Sequence, residues 1–296
     1  MAFYECDHLT RVDISSIEAW CKISFNYPEC YSDDYSPLFS NPLYYARHLF
    51  LNGVEVTDLV IPNTIVSLNN YVFCNCEGLS SVTIPQSVRI INGNAFMDCK
   101  RLANVDIAPS VTVIGSQAFY GCTDLTSITI PRSVNIIESE AFNSCPGLTG
   151  IIVESGNSYY DSRDNCNAII KTATNMLIAG CQNTAIPNTV TAISGDAFKG
   201  CNTLKSIDIP HSVISITGNP FEDCSSLESI TVAENNPVYD SRDNCNAIIE
   251  TAADKLIAGY KNTIIPHSVV SIGDRAFYSC QELKSIEIPN SVITKS

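Results

Sequence analysis

Leu79-Ser80-Ser81-Val82-Thr83-Ile84-Pro85-Gln86-Ser87-Val88-Arg89-Ile90-Ile91-Asn92-Gly93-Asn94-Ala95-Phe96-Met97-Asp98-Cys99 decides the fold, because it recurs. The same order returns as L-T-S-I-T-I-P-R-S-V-N-I-I from Leu125 and as L-K-S-I-D-I-P-H-S-V-I-S-I from Leu204. Phe73, Phe96, Phe119 and Phe142 follow one another at steps of 23, as do Cys76, Cys99, Cys122 and Cys145, and Phe198 and Phe221 with Cys201 and Cys224 repeat the step. Aligned on the Ile-Pro step, turns start at residues 9, 56, 79, 102, 125, 148, 181, 204, 227, 260 and 283. Their lengths are 47, then 23 four times, 33, 23, 23, 33 and 23, with a fragment of 14 at the end. Y-D-S-R-D-N-C-N-A-I-I stands at Tyr160 and again at Tyr239, a step of 79, so blocks of three turns are duplicated.

A period of this length means a solenoid, in which each turn buries its apolar face against its neighbours. Within one turn, Leu79, Val82 and Ile84 point inward and L-x-x-V-x-I reads as a short strand. Pro85 has no N–H and ends the pairing. Val88 and Ile91 begin a second extended stretch on the opposite side. Ala95 and Phe96 before Cys99 suit one helical turn with an aromatic anchor, and stacking aligns the phenylalanines into a buried spine. Eleven strands in one parallel sheet, about 4.8 Å per turn, predict a length of roughly 48 Å.

Composition narrows the function. The 296 residues carry 17 basic and 31 acidic side chains, a net charge of −14, which argues against nucleic acid and anionic membrane as partners. Charged residues are 16%, below the roughly 25% of an average domain, and apolar residues are 45%, which suits a packed core. No apolar run reaches the roughly 20 residues of a membrane-spanning helix, and the N-terminus does not read as a signal peptide.

The consensus L-x-S-I-x-I-P-x-S-V-x-x-I-x-x-x-A-F-x-x-C resembles the BspA-like (Treponema pallidum-type) leucine-rich repeat of bacterial surface proteins, from Ala2–Phe3 to Val292. A-W-C-K-I-S-F at Ala19 and N-P-L-Y-Y-A-R-H-L-F-L-N-G at Asn41 are similar to interruptions seen in such proteins from gut anaerobes. The resemblance implies an α/β fold class: a right-handed leucine-rich-repeat solenoid or horseshoe, β-rich with short helical turns, its parallel sheet on the concave face. One solenoid is expected over 1–296: an irregular N-terminal turn at 1–55, regular repeats at 56–147, two blocks with 33-residue turns at 148–282, and an incomplete turn at 283–296.

The long first turn predicts a short helix, Ser16 to Lys22, with the single Trp, and a polar loop with Asp33, Asp34 and Ser36. Leu49 to Val56 reads as a hairpin, because Asn52-Gly53 supplies both positive-φ residues of a type I′ turn. The 33-residue turns carry N-A-I-I-K-T-A-T-N-M-L-I-A-G from Asn167 and N-A-I-I-E-T-A-A-D-K-L-I-A-G from Asn246, each expected as a hairpin decorating one edge. The proline displaced to Pro109 and the Pro220 replacing the usual Ala should distort only locally. The abrupt termini imply either a piece of a longer protein or unconventional capping.

Eight of the 14 cysteines, Cys6, Cys76, Cys99, Cys122, Cys145, Cys201, Cys224 and Cys280, share one repeat position and read as a ladder of buried, reduced thiols acting as small apolar groups. Cys74 and Cys76 are too close for a zinc pair, while a disulfide remains open among Cys21, Cys30, Cys166, Cys181 and Cys245. Asp161 to Asn165 and Asp240 to Asn244 lack the Gly and terminal Glu of a calcium loop and read as Asx-turns. His211 and His267 share the P-H-S-V position, and His8 and His48 stand alone. No catalytic or nucleotide-binding motif appears, so no catalytic residue, metal or cofactor is assigned.

The remaining candidate is the outward face of the strands: Ser81 and Thr83, Asn104 and Asp106, Ser127 and Thr129, Ser206 and Asp208, Ser229 and Thr231, and Glu287. Solenoids bind partners on such extended faces, although Trp, Tyr and Arg anchors are missing and Ser and Thr also suit a closely stacked sheet. The expectation is therefore a non-enzymatic surface or secreted protein, monomeric, without membrane insertion. The resemblance implies binding to host matrix or cell-surface protein in adhesion. The alternatives are a structural spacer and, more distantly, an enzyme.

Overall fold

The computed structural model describes residues 2–3, 5–25 and 40–295. Asp33, Asp34, Ser36 and Cys30 lie outside the described residues. The chain divides into two compact units, one of residues 1–148 with 153–158, the other of residues 149–152 with 159–296.

In the first unit the turns stack as coils of a β-solenoid. Strands Asp58–Val60, Ser81–Ile84 and Asn104–Ile107 form a parallel sheet in the order of the chain, with Asp58 opposite Ser81 and Ser81 opposite Asn104. The opposite wall is a second parallel sheet of two-residue strands at Ser67, Ile90, Val113 and Ile136. Between the walls, Leu79, Val88, Ile91, Phe96 and Cys99 are all fully buried. Recurrent β-turns carry the chain around the coil that starts at Leu79. Val88 N–H bonds the Pro85 carbonyl at 3.0 Å, Cys99 the Phe96 carbonyl at 3.3 Å, and Leu102 the Cys99 carbonyl at 3.0 Å. The first of these survives at Ala108, where Val111 N–H reaches the Ala108 carbonyl at 3.2 Å despite the displaced proline.

The A-F-x-x-C segment is not the helical turn expected. Its phenylalanine N–H groups run to the neighbouring coil, Phe73 to Ala95, Phe96 to Ala118 and Phe119 to Ala141, at 2.8–2.9 Å. Left-handed residues at Asn94 and Asp98, Gln117 and Gly121, and Glu140 and Ser144 turn the backbone so that this third ladder can form. The phenylalanine spine is real: successive rings from Phe73 to Phe142 stack at 5.4–5.7 Å, within 11° of parallel.

The predicted first helix spans Ile17–Cys21, with Ser16 accepting the Ala19 N–H as its cap. Trp20 is buried and its indole N–H donates to the Val72 carbonyl at 2.8 Å. Asn52 (φ 51) and Gly53 (φ 83) close the hairpin Leu49–Leu51 with Val54–Glu55. The strand of the long first turn, Val12–Ile14, pairs with Leu49–Leu51 rather than with a regular repeat strand.

In the second unit the two duplicated insertions fold alike. Ala168–Lys171 pairs antiparallel with Met176–Gly180, and Ala247–Glu250 with Lys255–Gly259. These hairpins are not edge decorations. Ala168, Ile169, Ile170 and Leu177 are fully buried, and Met176–Leu177 continues as a parallel partner of Ala192–Ile193. The run A-I-I is apolar on both faces, so it enters the core. After each hairpin the regular strand is lost: 182–187 and 261–266 belong to no ladder, their Ala185 and Ile264 N–H groups going to the Cys166 and Cys245 carbonyls, and 284–289 also belongs to none. Ser206–Ile209 and Ser229–Val232 form a separate two-stranded parallel sheet. In the first unit, strand Ser127–Ile130 approaches Asn104–Ile107 without joining its sheet. The uninterrupted eleven-strand sheet is therefore not what forms.

Candidate binding surface

The repeat register sets the surface chemistry. Parallel in-register pairing places equivalent residues of successive turns side by side, so each outward position becomes a row. In the first unit one row is Asp58, Ser81 and Asn104, and the next is Val60, Thr83 and Asp106. The Ser81 hydroxyl donates to Asp58 Oδ1 at 2.5 Å, and this bond, with one from Thr57, holds the exposed Asp58 carboxyl below its usual range. Ser127 and Thr129 are exposed on the adjoining strand. Asp58 and Val60 went unread in the sequence although V-T-D-L-V-I-P fits the strand pattern. Beside them an open concavity of about 420 Å³ is lined by Ile17, Leu51, Val54 and Val60, with Val54 71% and Val60 66% exposed.

In the second unit Ser206 lies opposite Ser229 and Asp208 opposite Thr231, whose hydroxyl donates to Asp208 Oδ1. An open concavity of about 670 Å³ covers these strands, walled by the extended segment 182–188 and by Thr231–Glu234. Glu287 does not join them on a strand; it is exposed in the unpaired segment 284–289. The eleven candidate residues are thus shared between two units, with Glu287 outside any ladder. Two residues of the duplicated motif, outside the eleven candidates, bond N–H groups at one edge of the sheet: Ile230 N–H donates to Asn246 Oδ1 at 2.6 Å and Val232 N–H to Ser241 Oγ at 3.0 Å. Their signal was the duplication itself, since both lie in the repeated Y-D-S-R-D-N-C-N motif.

That motif folds as Asx-turns, with Arg163 N–H on Asp161 Oδ1 at 3.2 Å and Arg242 N–H on Asp240 Oδ1 at 3.1 Å. Each guanidinium also grips its Asp through two bonds, 2.7 and 2.6 Å for Arg163, 2.8 and 2.6 Å for Arg242. Burial works against ionisation of Asp161 and Asp240, but the arginine hydrogen bonds outweigh it and hold both carboxyls below their usual range. Arg163 reaches on to Asn175 at 2.9 Å and Arg242 to Asp254 at 2.6 Å, tying each loop to the tip of its hairpin.

The cysteine ladder does more than fill space. All thirteen cysteines among the described residues are free thiols. The Sγ–H groups of Cys99, Cys122 and Cys145 donate to the carbonyls of Phe73, Phe96 and Phe119 in the preceding coil at 3.1–3.3 Å, and Cys224 to Phe198 at 3.1 Å. The Tyr260 hydroxyl takes the same role toward the Phe221 carbonyl. Burial pushes the Cys99, Cys122 and Cys224 thiols up, and those of Cys76 and Cys145 to about 12, away from nucleophilic use.

No group of three or more metal-ligating side chains occurs among the described residues, and no helix there is long and apolar enough to cross a membrane. No curated protein matches the chain. A solved leucine-rich cell surface protein of Faecalibacterium prausnitzii is similar, with 25% identity over 81% of this chain and 75% of that one and a TM-score of 0.53. A leucine-rich repeat protein of Eubacterium ventriosum has 18% identity over 86% and 77%, TM-score 0.49, and the T. pallidum leucine-rich repeat protein 21% over 79% and 76%, TM-score 0.33. The model of the BspA type leucine rich repeat region matches residues 45–169, 177–247 and 248–296 in six copies. The coils, the spine and this match agree, and the chain belongs to the BspA-type leucine-rich repeat family.

Proposed function

We propose that the chain is a non-enzymatic surface or secreted protein that binds other proteins in adhesion, to host matrix or cell-surface protein, through its sheet faces. The observation that carries this reading is the set of rows: hydroxyls, amides and carboxylates fixed side by side on hydrogen-bonded strands and open to solvent over concavities of about 420 and 670 Å³. Such rows offer many similar weak contacts, and several engaged together raise avidity without one strong site. The −14 charge favours basic patches on the partner. The Faecalibacterium relative, described as a cell surface protein, supports the surface location.

The test is surface-immobilised matrix protein titrated with the chain at low and high salt. Binding should weaken with salt, because exposed charges are screened beyond about 8 Å at physiological ionic strength. Replacing Asp106, Asp208 and Glu287 together with Lys should weaken it further. Unchanged binding would move the contact to the hairpins after Asn167 and Asn246. Absence of binding to a broad protein panel would favour a structural spacer.

A further inference from the structure

The sheet of Ser206–Ile209 and Ser229–Val232 has two edges, and the insertions treat them differently. Ser229 N–H bonds the Lys205 carbonyl at 3.2 Å and Ala233 N–H the Ile209 carbonyl at 2.9 Å. In a parallel ladder alternate residues bond to alternate sides, so Lys205, Ile207 and Ile209 face the Ser229 strand. The N–H and C=O groups of Ser206 and Asp208 face the other way. At the far edge the N–H groups of Ile230 and Val232 are closed by Asn246 Oδ1 and Ser241 Oγ. At the near edge no backbone hydrogen bond reaches Ser206 or Asp208 among the described residues. The segment that would have supplied one, 182–188, stands across the concavity of about 670 Å³ and sends its Ala185 N–H to the Cys166 carbonyl instead, at 3.2 Å.

An unpaired strand edge of this kind is a template for another strand. We propose that an extended segment of a partner protein adds to the Ser206–Ile209 edge as a new strand, bonding the N–H and C=O of Ser206 and Asp208, with a lysine or arginine beside Asp208. Four residues of template accept about four residues of ligand at roughly 3.3 Å each. A ligand residue in register with Asp208 shares its face and meets the carboxylates of Asp208 and Glu234, both exposed at the concavity. Residues in register with Ile207 and Ile209 face inward and must be small or β-branched. This inference rests on the protein-binding reading and names the partner's conformation and charge.

The experiment uses the full chain, ¹⁵N-labelled, and a capped peptide alternating lysine with valine. The same peptide with alternate amide nitrogens methylated keeps its charge and loses its donors and its fit. In the free chain the amides of Ser206 and Asp208 should exchange with solvent much faster than those of Ile207 and Ile209. The unmethylated peptide should slow Ser206 and Asp208 tenfold or more, and the methylated one should bind at least tenfold more weakly. Asp208→Pro, which removes an edge N–H without removing a hydrogen bond of the Ser229 ladder, should lose more binding than Asp208→Ala, which removes the carboxylate and keeps the N–H. Amides of Ser206 and Asp208 already protected in the free chain would overturn the proposal. So would equal binding of the two peptides, the mark of charge attraction alone, or a complete lack of peptide binding. Peptide contacts confined to the Asp58 and Val60 rows would overturn it while leaving the sheet-face reading intact. Edge binding with no effect of the Lys substitutions at Asp106 and Glu287 would do the reverse.

Discussion

Phe119→Ala is the most direct probe of what holds the coils together. Phe119 is fully buried, with Phe96 stacked at 5.4 Å on one side and Phe142 at 5.7 Å on the other. Burying a phenylalanine removes about 150–200 Å² from water, which at about 25 cal/mol per Å² is roughly 4–5 kcal/mol as an upper value. Truncation also opens a cavity between two coils whose backbones are held apart by the Phe96–Ala118 and Phe119–Ala141 ladder bonds, so collapse can recover little of it. The expected loss is about 3–5 kcal/mol. Phe277, only partly buried, supplies the contrast, and Phe277→Ala should cost less than half as much. Urea unfolding followed by the fluorescence of Trp20, in the same unit as Phe119, measures the first loss. A loss below about 1.5 kcal/mol with an unchanged denaturant slope would show that the rings stack without bearing stability.

The thiols set an alkaline limit. The folded pKa values of the buried Cys76 and Cys145 thiols lie at about 12, above the unfolded value near 9, so their contribution to stability is complete below about pH 9 and lost as the pH rises toward 12. Each such thiol should cost about 1.4 kcal/mol per pH unit in that window, and a melting temperature flat from pH 8 to about pH 11 would contradict the burial of the ladder. Gly180→Ala should destabilise the second unit strongly, because a Cβ there would overlap the Cδ1, Cε1 and Cζ edge of the Phe198 ring; a thermal shift within a degree or so of the parent would refute the close approach. We also propose that 1–296 behaves as one solenoid in unfolding. Calorimetry should show a single transition whose van't Hoff and calorimetric enthalpies agree, and two resolved transitions would assign the units separate stability.

Much of the coil was legible because its signals are local. Pro85, Phe96 and Cys99 each open a β-turn closed by a hydrogen bond three residues on, and a 23-residue repeat of such turns leaves stacking as the way to bury Val82, Ile84 and Ile91. The Asn52-Gly53 hairpin and the Ser16 cap were legible for the same reason, since φ preference and a side-chain oxygen act within a few residues. The Ala95-Phe96 segment was not. Its N–H groups can close a helical turn or reach the next coil, and only the position of the Ala118 carbonyl decides between them. The insertions depended on tertiary context in the same way. That they form hairpins was written in A-I-I-K-T-A-T-N-M-L-I, but that these hairpins enter the core, displace the regular strand and leave Ser206 and Asp208 with an open edge depends on groups far apart in sequence. Hydrogen bonds within a turn are chosen by the residues that make it. Those between turns are chosen by whichever backbone the packed core brings within about 3 Å.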